Sequence, residues 1–438
     1  MMAIDQIKHS FQKEISSAPL VFFRIAFGTM MFLSLLRFWA MDWIDTLYIQ
    51  PKFYFAFYGF EWIKPFSGNG MYFVFGAMLL ATLFIATGLF YRIACITFFL
   101  LFTYVELIDK TNYLNHYYFI SIISFLFCLL PTTGSIFAYN KNKSVPRWAI
   151  LTLQLQMGIV YFFAGIAKIN PDWLLNAMPL KIWLATKTDL PIIGNLLSEN
   201  WVAYVFSWCG MLFDVSIAFF LFNRKTVWYA YAIVVVFHVV TAILFPGIGM
   251  FPFVMIVCAT VFLPSNFHEQ VLRILKVRSR KSDLNPTLQS ESITNVSVLL
   301  TPILLIHFLI QILLPLRSHL YPKNLFYHEQ GYRFSWRVML MEKAGTVFFT
   351  VKNKQGKLVE VDNRNFLTMQ QEKQMSTQPD MILQFAHYLK EVYSTNEVYA
   401  EAYVTVNGNG SQLFIDPKQN LCEVNDNFQN KNWVIAAK

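Results

Sequence analysis

A mainly α, polytopic bundle of membrane helices followed by a small β-rich extracytoplasmic domain is the fold class this sequence predicts, on three observations. The 438 residues are 56% apolar and only 14% charged, which leaves too few polar side chains to cover a soluble globule of this size. Apolar runs close to the roughly 20 helical residues needed to cross a ~30 Å hydrocarbon core recur as far as residue 316. Beyond Pro315 the pattern changes to short stretches of alternating polar and apolar residues.

In chain order the apolar runs are 18–40, 71–90, 93–108, 116–138, 148–167, 201–222, 227–245, 250–263 and 296–316, about nine crossings. The first is too long for a cleaved secretory signal and lacks a small-residue cleavage site, so it is read as retained. The eighth is short, and Pro246, Gly247, Gly249 and Pro252 make its start irregular, as in a half-helix or re-entrant element.

Positive charge orients the bundle. With the N-terminus in the cytoplasm, the inner segments carry Lys8, Lys13, Arg92, Lys141, Lys143, Arg147, Arg224, Lys225, Arg273, Lys276, Arg278, Arg280 and Lys281. An odd number of crossings then places the C-terminal domain in the periplasm or lumen. Residues 264–295 become a mobile basic linker facing anionic lipid. The net charge of +9 follows from this topology and does not form one basic face, so no nucleic-acid partner is expected. Cys95, Cys128, Cys209 and Cys258 lie inside apolar runs and Cys422 stands alone, which implies neither a disulfide framework nor a metal site.

Residues 1–316 are thus read as the membrane domain and 317–438 as the external one. In the latter, GTVFFTVKNKQGKLVEVD and VYAEAYVTVNGNGSQLFIDP read as hairpins turning at Lys354-Gln355-Gly356 and at Asn407 to Gly410. Between them a helix is expected from Met381 to Tyr393, with Pro379 and Asp380 as its start signal. The chain carries no P-loop, no GxGxxG after a strand and no GxSxG elbow.

The stretch YFFAGIAKINPDW, Tyr161 to Trp173, stands out. An apolar helix ends in small residues that permit close helix approach, meets Lys168 and is stopped at Asn170-Pro171. Taken alone, Lys168 is a lysine snorkelling to the interface. Asn115 and His116 start the fourth run and His238 falls late in the seventh, so all four polar groups lie toward the outer leaflet and can share a site. Singly, His116 reads as a helix cap and His238 as a satisfied core histidine. Glu106, Asp109 and Lys110 read as a solvated loop edge, and Asp214 as a structural hydrogen-bonding partner.

The segments DKTNYLNHYYF, YFFAGIAKINPDW, FHVVTAILFPGIGMFPFVM and GYRFSWRVM, with FIDP later, resemble in order the signature blocks of the vitamin K-dependent gamma-glutamyl carboxylases, within the wider group of HTTM proteins. The resemblance is to a shorter, bacterial-type homologue, since vertebrate members continue further. It implies oxygenation of a reduced vitamin K, the hydroquinone or a menaquinol, by dioxygen. The strong base so formed removes a γ-proton from a glutamate in a peptide or protein, and carbon dioxide captures the carbanion.

Lys168 matches the family's initiating base, a role for an amine that can be neutral and not for arginine. The match further implies that Asn115 and His116 stabilise charge at the quinol or glutamyl carboxyl, and that His238 orients the quinol. Phe251, Met255, Trp336 and Met339 would wall a quinone entering from membrane lipid. Position 167 is Ala where vertebrate enzymes carry a second lysine, and Arg337 and Val338 depart from the family pattern after Trp336. Two other functions fit the same residues: a quinol epoxidase that carboxylates no peptide, and a non-catalytic quinone- or lipid-binding membrane scaffold.

Overall fold

The computed structural model describes residues 10–131, 133–138, 144–275, 277, 290–322, 324–353 and 355–435, without the side chains of 290–299. Lys8, Lys141, Lys143, Lys276, Arg278, Arg280, Lys281 and Lys354 of the sequence reading lie outside these residues.

Each apolar run becomes helix. These are α1 (Ala18–Ala40), α2 (Gly70–Thr87), α3 (Tyr91–Ile108), α4 (Asn115–Leu129), α5 (Arg147–Ala167), α6 (Asn200–Phe222), α7 (Val227–Leu244), α8 (Phe251–Ala259), an additional α9 (Ser265–Ile274) and α10 (Ser290–Leu316). Among the described residues seven helices are long and apolar enough to span a membrane, or eight if α8 and α9 form one broken span. The difference from nine has a local cause. At 15 residues α4 is short because Leu130 precedes Pro131, which forces it into the extended conformation seen at ψ 153°. Beyond α8, Pro264 follows one turn of 3₁₀ helix and the chain swings through 115° into α9. Residues 265–274, read from sequence as linker, are therefore an amphipathic helix. It buries His268, whose ring nitrogens lie 3.1 Å from the carbonyl oxygens of Pro264 and Thr260.

Glu14–Ser16 (β1) pairs antiparallel with Ser144–Pro146 (β2), tying the start of α1 to the start of α5. The C-terminal part holds a four-stranded antiparallel sheet in the order β4-β3-β5-β6, from Lys343–Lys352 (β3), Leu358–Val361 (β4), Val398–Val406 (β5) and Gln412–Leu413 (β6). β5 alternates buried and less buried positions with the two-residue period of a one-sided sheet. The helix expected from Met381 runs as α11 (Pro379–Tyr393) and packs Phe385 edge-on against Phe349 at 5.1 Å.

Two large hydrophobic cores and one small cluster around Ala18, Val21 and Leu272 result among the described residues. One fills the helix bundle, and the other joins the sheet and α11 to Phe55, Trp173, Leu180 and Leu197 from segments between the membrane helices. The loop edge expected to be solvated belongs to this second assembly. Asp109 accepts hydrogen bonds from Thr111 N at 2.9 Å and Gln371 Nε2 at 2.8 Å. Lys110 Nζ lies 2.9 Å from Asp380 Oδ2, which Arg333 also reaches at 2.8 Å. Asp109 and Lys110 are buried because the start of α11 and the short helix Met369–Met375 before it cover them.

Candidate active site

The stretch Tyr161 to Trp173 behaves as its residue types demand. Gly165 lets α5 close on α6: a Cβ there would sit 2.5 Å from Val215 Cγ2 and 3.0 Å from the Asp214 carbonyl carbon. That approach carries the end of α5 against the middle of α6. Lys168 Nζ donates to Asp214 Oδ2 at 2.7 Å and to Ala164 O at 3.4 Å, and lies 5.4 Å from the centre of the Trp173 ring. Both members of the pair are buried. Lys168 therefore does not snorkel to water; it ends inside the protein in an ion pair. Trp173 is held in turn, its Nε1 donating to Ser207 O at 2.9 Å while Ser207 Oγ donates to Trp173 O.

The pair sits on the wall of an apolar cavity of about 620 Å³ between α5, α6, α7 and α8, within the range of small-molecule sites. Val205, Ile233 and Val236 line it and are themselves 48%, 53% and 62% exposed on the flank between α6 and α7. The cavity thus opens sideways, toward lipid.

His238 lines the same cavity. Its Nε2 lies 3.1 Å from the Tyr161 hydroxyl, and its Nδ1 is buried without a partner. Stacking of Phe213 on Phe237 at 3.9 Å stiffens the adjoining wall. Phe251, Met255 and Met339 complete the lining together with Val338.

Asn115, His116 and Trp336 are placed differently. His116 does not line the cavity; its ring lies 6.1 Å from that of Phe251, which is 5.7 Å from His238 on the cavity side. Asn115 Nδ2 donates to Arg337 O at 2.9 Å, and its Oδ1 accepts from Tyr113 OH at 3.1 Å. Tyr113 OH also takes the Phe334 N–H at 2.7 Å. Asn115 therefore helps latch the strap 331–341 over the bundle. Trp336 is buried in that strap, stacked on Tyr118 at 5.0 Å and edge-on to Phe119 at 6.2 Å. Phe334, Trp336 and Met339 all have φ between 54° and 60°, a conformation that costs non-glycine residues about 1–3 kcal/mol each. The strap keeps it because Asn115, Tyr113 and Tyr118 hold it from below, and so delivers Val338 and Met339 to the cavity.

Outside the membrane, burial alone would raise the Asp380 carboxyl, but Arg333, Lys110 and Lys431 hold it well below the usual carboxylate range. This cluster joins the strap to α11.

Reading from sequence left Asp214 without its cation. The available signal was the cost of a lone acid inside an apolar helix, which demands a buried positive partner. Tyr161 and the Phe213–Phe237 stack carried no comparable signal, since aromatics in membrane helices are ordinarily packing. Among the described residues no group of three or more His, Cys, Asp or Glu side chains is placed to hold a metal ion.

Fold and site together define a class: a multi-pass membrane protein with a buried ion pair on the wall of an apolar, side-opening cavity, closed by a strap from an extramembrane sheet domain. Residues 12–267 match the model of the HTTM domain family, and residues 296–438 match that of the vitamin K-dependent gamma-carboxylase lumenal domain. The chain belongs to this gamma-carboxylase family of HTTM membrane proteins. No solved structure matches it.

Proposed function

We propose that this protein is a peptidyl-glutamate γ-carboxylase driven by the oxygenation of reduced vitamin K, with its sheet domain on the extracytoplasmic side. One observation carries the reading: a buried Lys168–Asp214 pair set in the wall of an otherwise apolar cavity that opens toward lipid. The cavity fits the cofactor on its own terms. Its walls suit a flat ring and an isoprenoid tail, the side opening suits entry from the bilayer, and the unpartnered His238 Nδ1 can meet a ring oxygen. Bound there with dioxygen, reduced vitamin K supplies a base strong enough for a glutamyl γ-carbon, and carbon dioxide then adds to the carbanion.

The chain's own residues have narrower tasks. The Lys168–Asp214 pair takes up the ring hydroxyl proton, and His238, fixed through Nε2 by Tyr161, orients the ring. Asn115 holds the strap, and with His116 it stabilises charge at the glutamyl carboxyl near Phe251 and Arg337. Phe251, Met255 and Met339 exclude water. Trp336 supports the strap from behind.

The test is a mass spectrum of a glutamate-containing peptide after incubation with the protein in membranes, vitamin K hydroquinone, oxygen and labelled bicarbonate. A labelled carboxyl-sized gain is expected. Quinol consumption without that gain would assign an epoxidase, and neither would leave a quinone- or lipid-binding scaffold.

A further inference from the structure

The apolar cavity is one of two recesses that share α8. On the other side of that helix a groove of about 630 Å³ runs between α1, α8 and the end of α9, a size at which small-molecule sites are found. Phe22, Ala26, Thr29, Leu33 and Arg37 line it along α1, at the three- and four-residue spacing of one helix face. From Phe22 to Arg37 that face is about 22 Å long, against the ~15 Å of one leaflet of the bilayer. Met250, Phe253 and Val257 face the groove from the side of α8, whereas Phe251 and Met255 face the cavity. Ser34 Oγ donates to Met250 Sδ at 2.8 Å, tying α1 to the start of α8.

Among the lining residues Arg37 alone is charged. It is exposed, its guanidinium carbon lies 5.1 Å from the centre of the Trp43 ring, and its side chain makes no hydrogen bond or ion pair among the described residues. Arg37 stands at the end of α1 that leads to the sheet domain, where Lys52 Nζ donates to Asn365 O at 3.0 Å and the Phe53 ring lies 5.8 Å from that of Phe385. A cation and a tryptophan at the end of a span sit at the height of lipid headgroups.

We propose that this groove is the site of one phospholipid, with an acyl chain along the α1 stripe and the phosphate on Arg37. The chain matches the apolar walls, and because the groove outruns one leaflet a chain that fills it is held extended. The phosphate matches the single charge at the end of the groove; a quinone or a diacylglycerol would bring no anion to the guanidinium. The lipid also has a structural consequence. α8 is only nine residues long and is entered through Gly249 at φ 67°, so its position depends on what packs against both of its faces. A chain in the groove backs the wall that carries Phe251 and Met255.

The test uses the full chain, delipidated in detergent and titrated with dioleoyl phosphatidylglycerol, with native mass spectrometry as the readout. One saturable adduct is expected, bound about tenfold or more tightly than dioleoylglycerol, which has the same chains and no phosphate. Arg37→Gln should lose that preference and Arg37→Lys should keep most of it. Leu33→Trp, which fills the exposed rim of the groove, should weaken both lipids. Phosphatidylglycerol with a photoactivatable acyl chain should label α1 and α8. Equal binding of the two lipids by the wild type would overturn the phosphate contact before any variant is made, labelling confined to α6 and α7 would overturn the groove, and displacement of the phospholipid by equimolar menaquinone would overturn the choice of occupant. The brace behind α8 further predicts that the delipidated protein binds vitamin K hydroquinone more weakly and recovers with phosphatidylglycerol; quinol affinity indifferent to the lipid would overturn the brace. This consequence rests on the quinol reading of the cavity. A protein that binds the phospholipid but never the quinol would end that reading and leave the lipid site standing.

Discussion

Asn407, at the turn of the β5–β6 hairpin, donates from Nδ2 to Asp172 Oδ2 at 2.8 Å, only four residues beyond Lys168. The same side chain accepts from Glu342 N at 2.9 Å, and Glu342 Oε2 takes the Trp183 N–H at 2.5 Å. The hairpin turn of the external sheet is thereby fastened to the helical turns that follow the candidate base. Asn407→Ala should lower thermal stability by about 1–3 kcal/mol, the cost of leaving buried partners unsatisfied. Asn407→Asp should be worse, because it sets a second carboxylate against Asp172. Differential scanning fluorimetry in detergent checks both, and equal stability of the two variants would mean that the contact with Asp172 does not form.

Gly165→Ala should push α6 away from α5. The added methyl meets backbone atoms of Asp214 and Val215 as well as a side chain, so local rotamer changes cannot absorb it. A loss of about 1–3 kcal/mol is expected from such overpacking, together with a fall in quinol oxidation as the Lys168–Asp214 distance grows. A variant with wild-type melting temperature and wild-type turnover would show that the close approach is not needed.

Lys168→Ala leaves Asp214 without its cation and should cost about 3–5 kcal/mol, the usual penalty for breaking one side of a buried pair, and abolish quinol oxidation with carboxylation. Lys168→Arg should abolish quinol oxidation and carboxylation as well, because a guanidinium keeps its proton and cannot act as a base. His116→Ala should separate the two reactions, lowering carboxylation more than quinol oxidation. Epoxide yield and carboxylated peptide measured in the same assay test all three variants. Equal loss of both products in His116→Ala would remove that histidine from the carboxyl end of the site.

Acid should loosen the external domain through Asp380. Arg333, Lys110 and Lys431 outweigh burial and depress its folded pKa below the unfolded value of about 3.9. A depressed carboxylate contributes stability that is complete above the unfolded pKa and is lost as pH falls through the folded one. Melting temperature should therefore hold from neutral pH to about 4 and fall below it. In Asp380→Asn this part of the acid transition should be missing and stability at neutral pH should already be low. An unchanged acid profile in that variant would acquit Asp380.

Orientation is open to direct labelling. A cysteine tag after Lys438 should react with an impermeant reagent from outside intact cells, and a tag within 264–295 only after permeabilisation. The reverse pattern would place the cavity mouth and the strap on the cytoplasmic side.

Periodicity and composition were sufficient for the helices and hairpins because each is decided by neighbours in the chain. Twenty apolar residues have nowhere to go but through a bilayer, and β5 could be read from its alternation. Where the reading strayed, a local signal had been underweighted: Pro131 ends α4 early, and Pro264 turns α8 into α9. Ordered motif blocks were enough to reach the family, and they singled out Lys168, His238, Phe251, Met255 and Met339, which line one cavity.

What only the tertiary structure decided is who faces whom. Lys168 and Asp214 are 46 residues apart and belong to different apolar runs, so no pattern within either run states that they touch. The sequence puts His116 and His238 toward the same surface, yet the Phe251 ring contacts both histidine rings and lies between them. Asp109 and Lys110 look like a wet loop until residues some 260 positions later cover them. Local sequence sets conformation because backbone propensity and burial of a face act over a few residues. Pairing across helices depends on rotation, depth and close approach, set here by one missing side chain at Gly165, and these exist only once the bundle has packed.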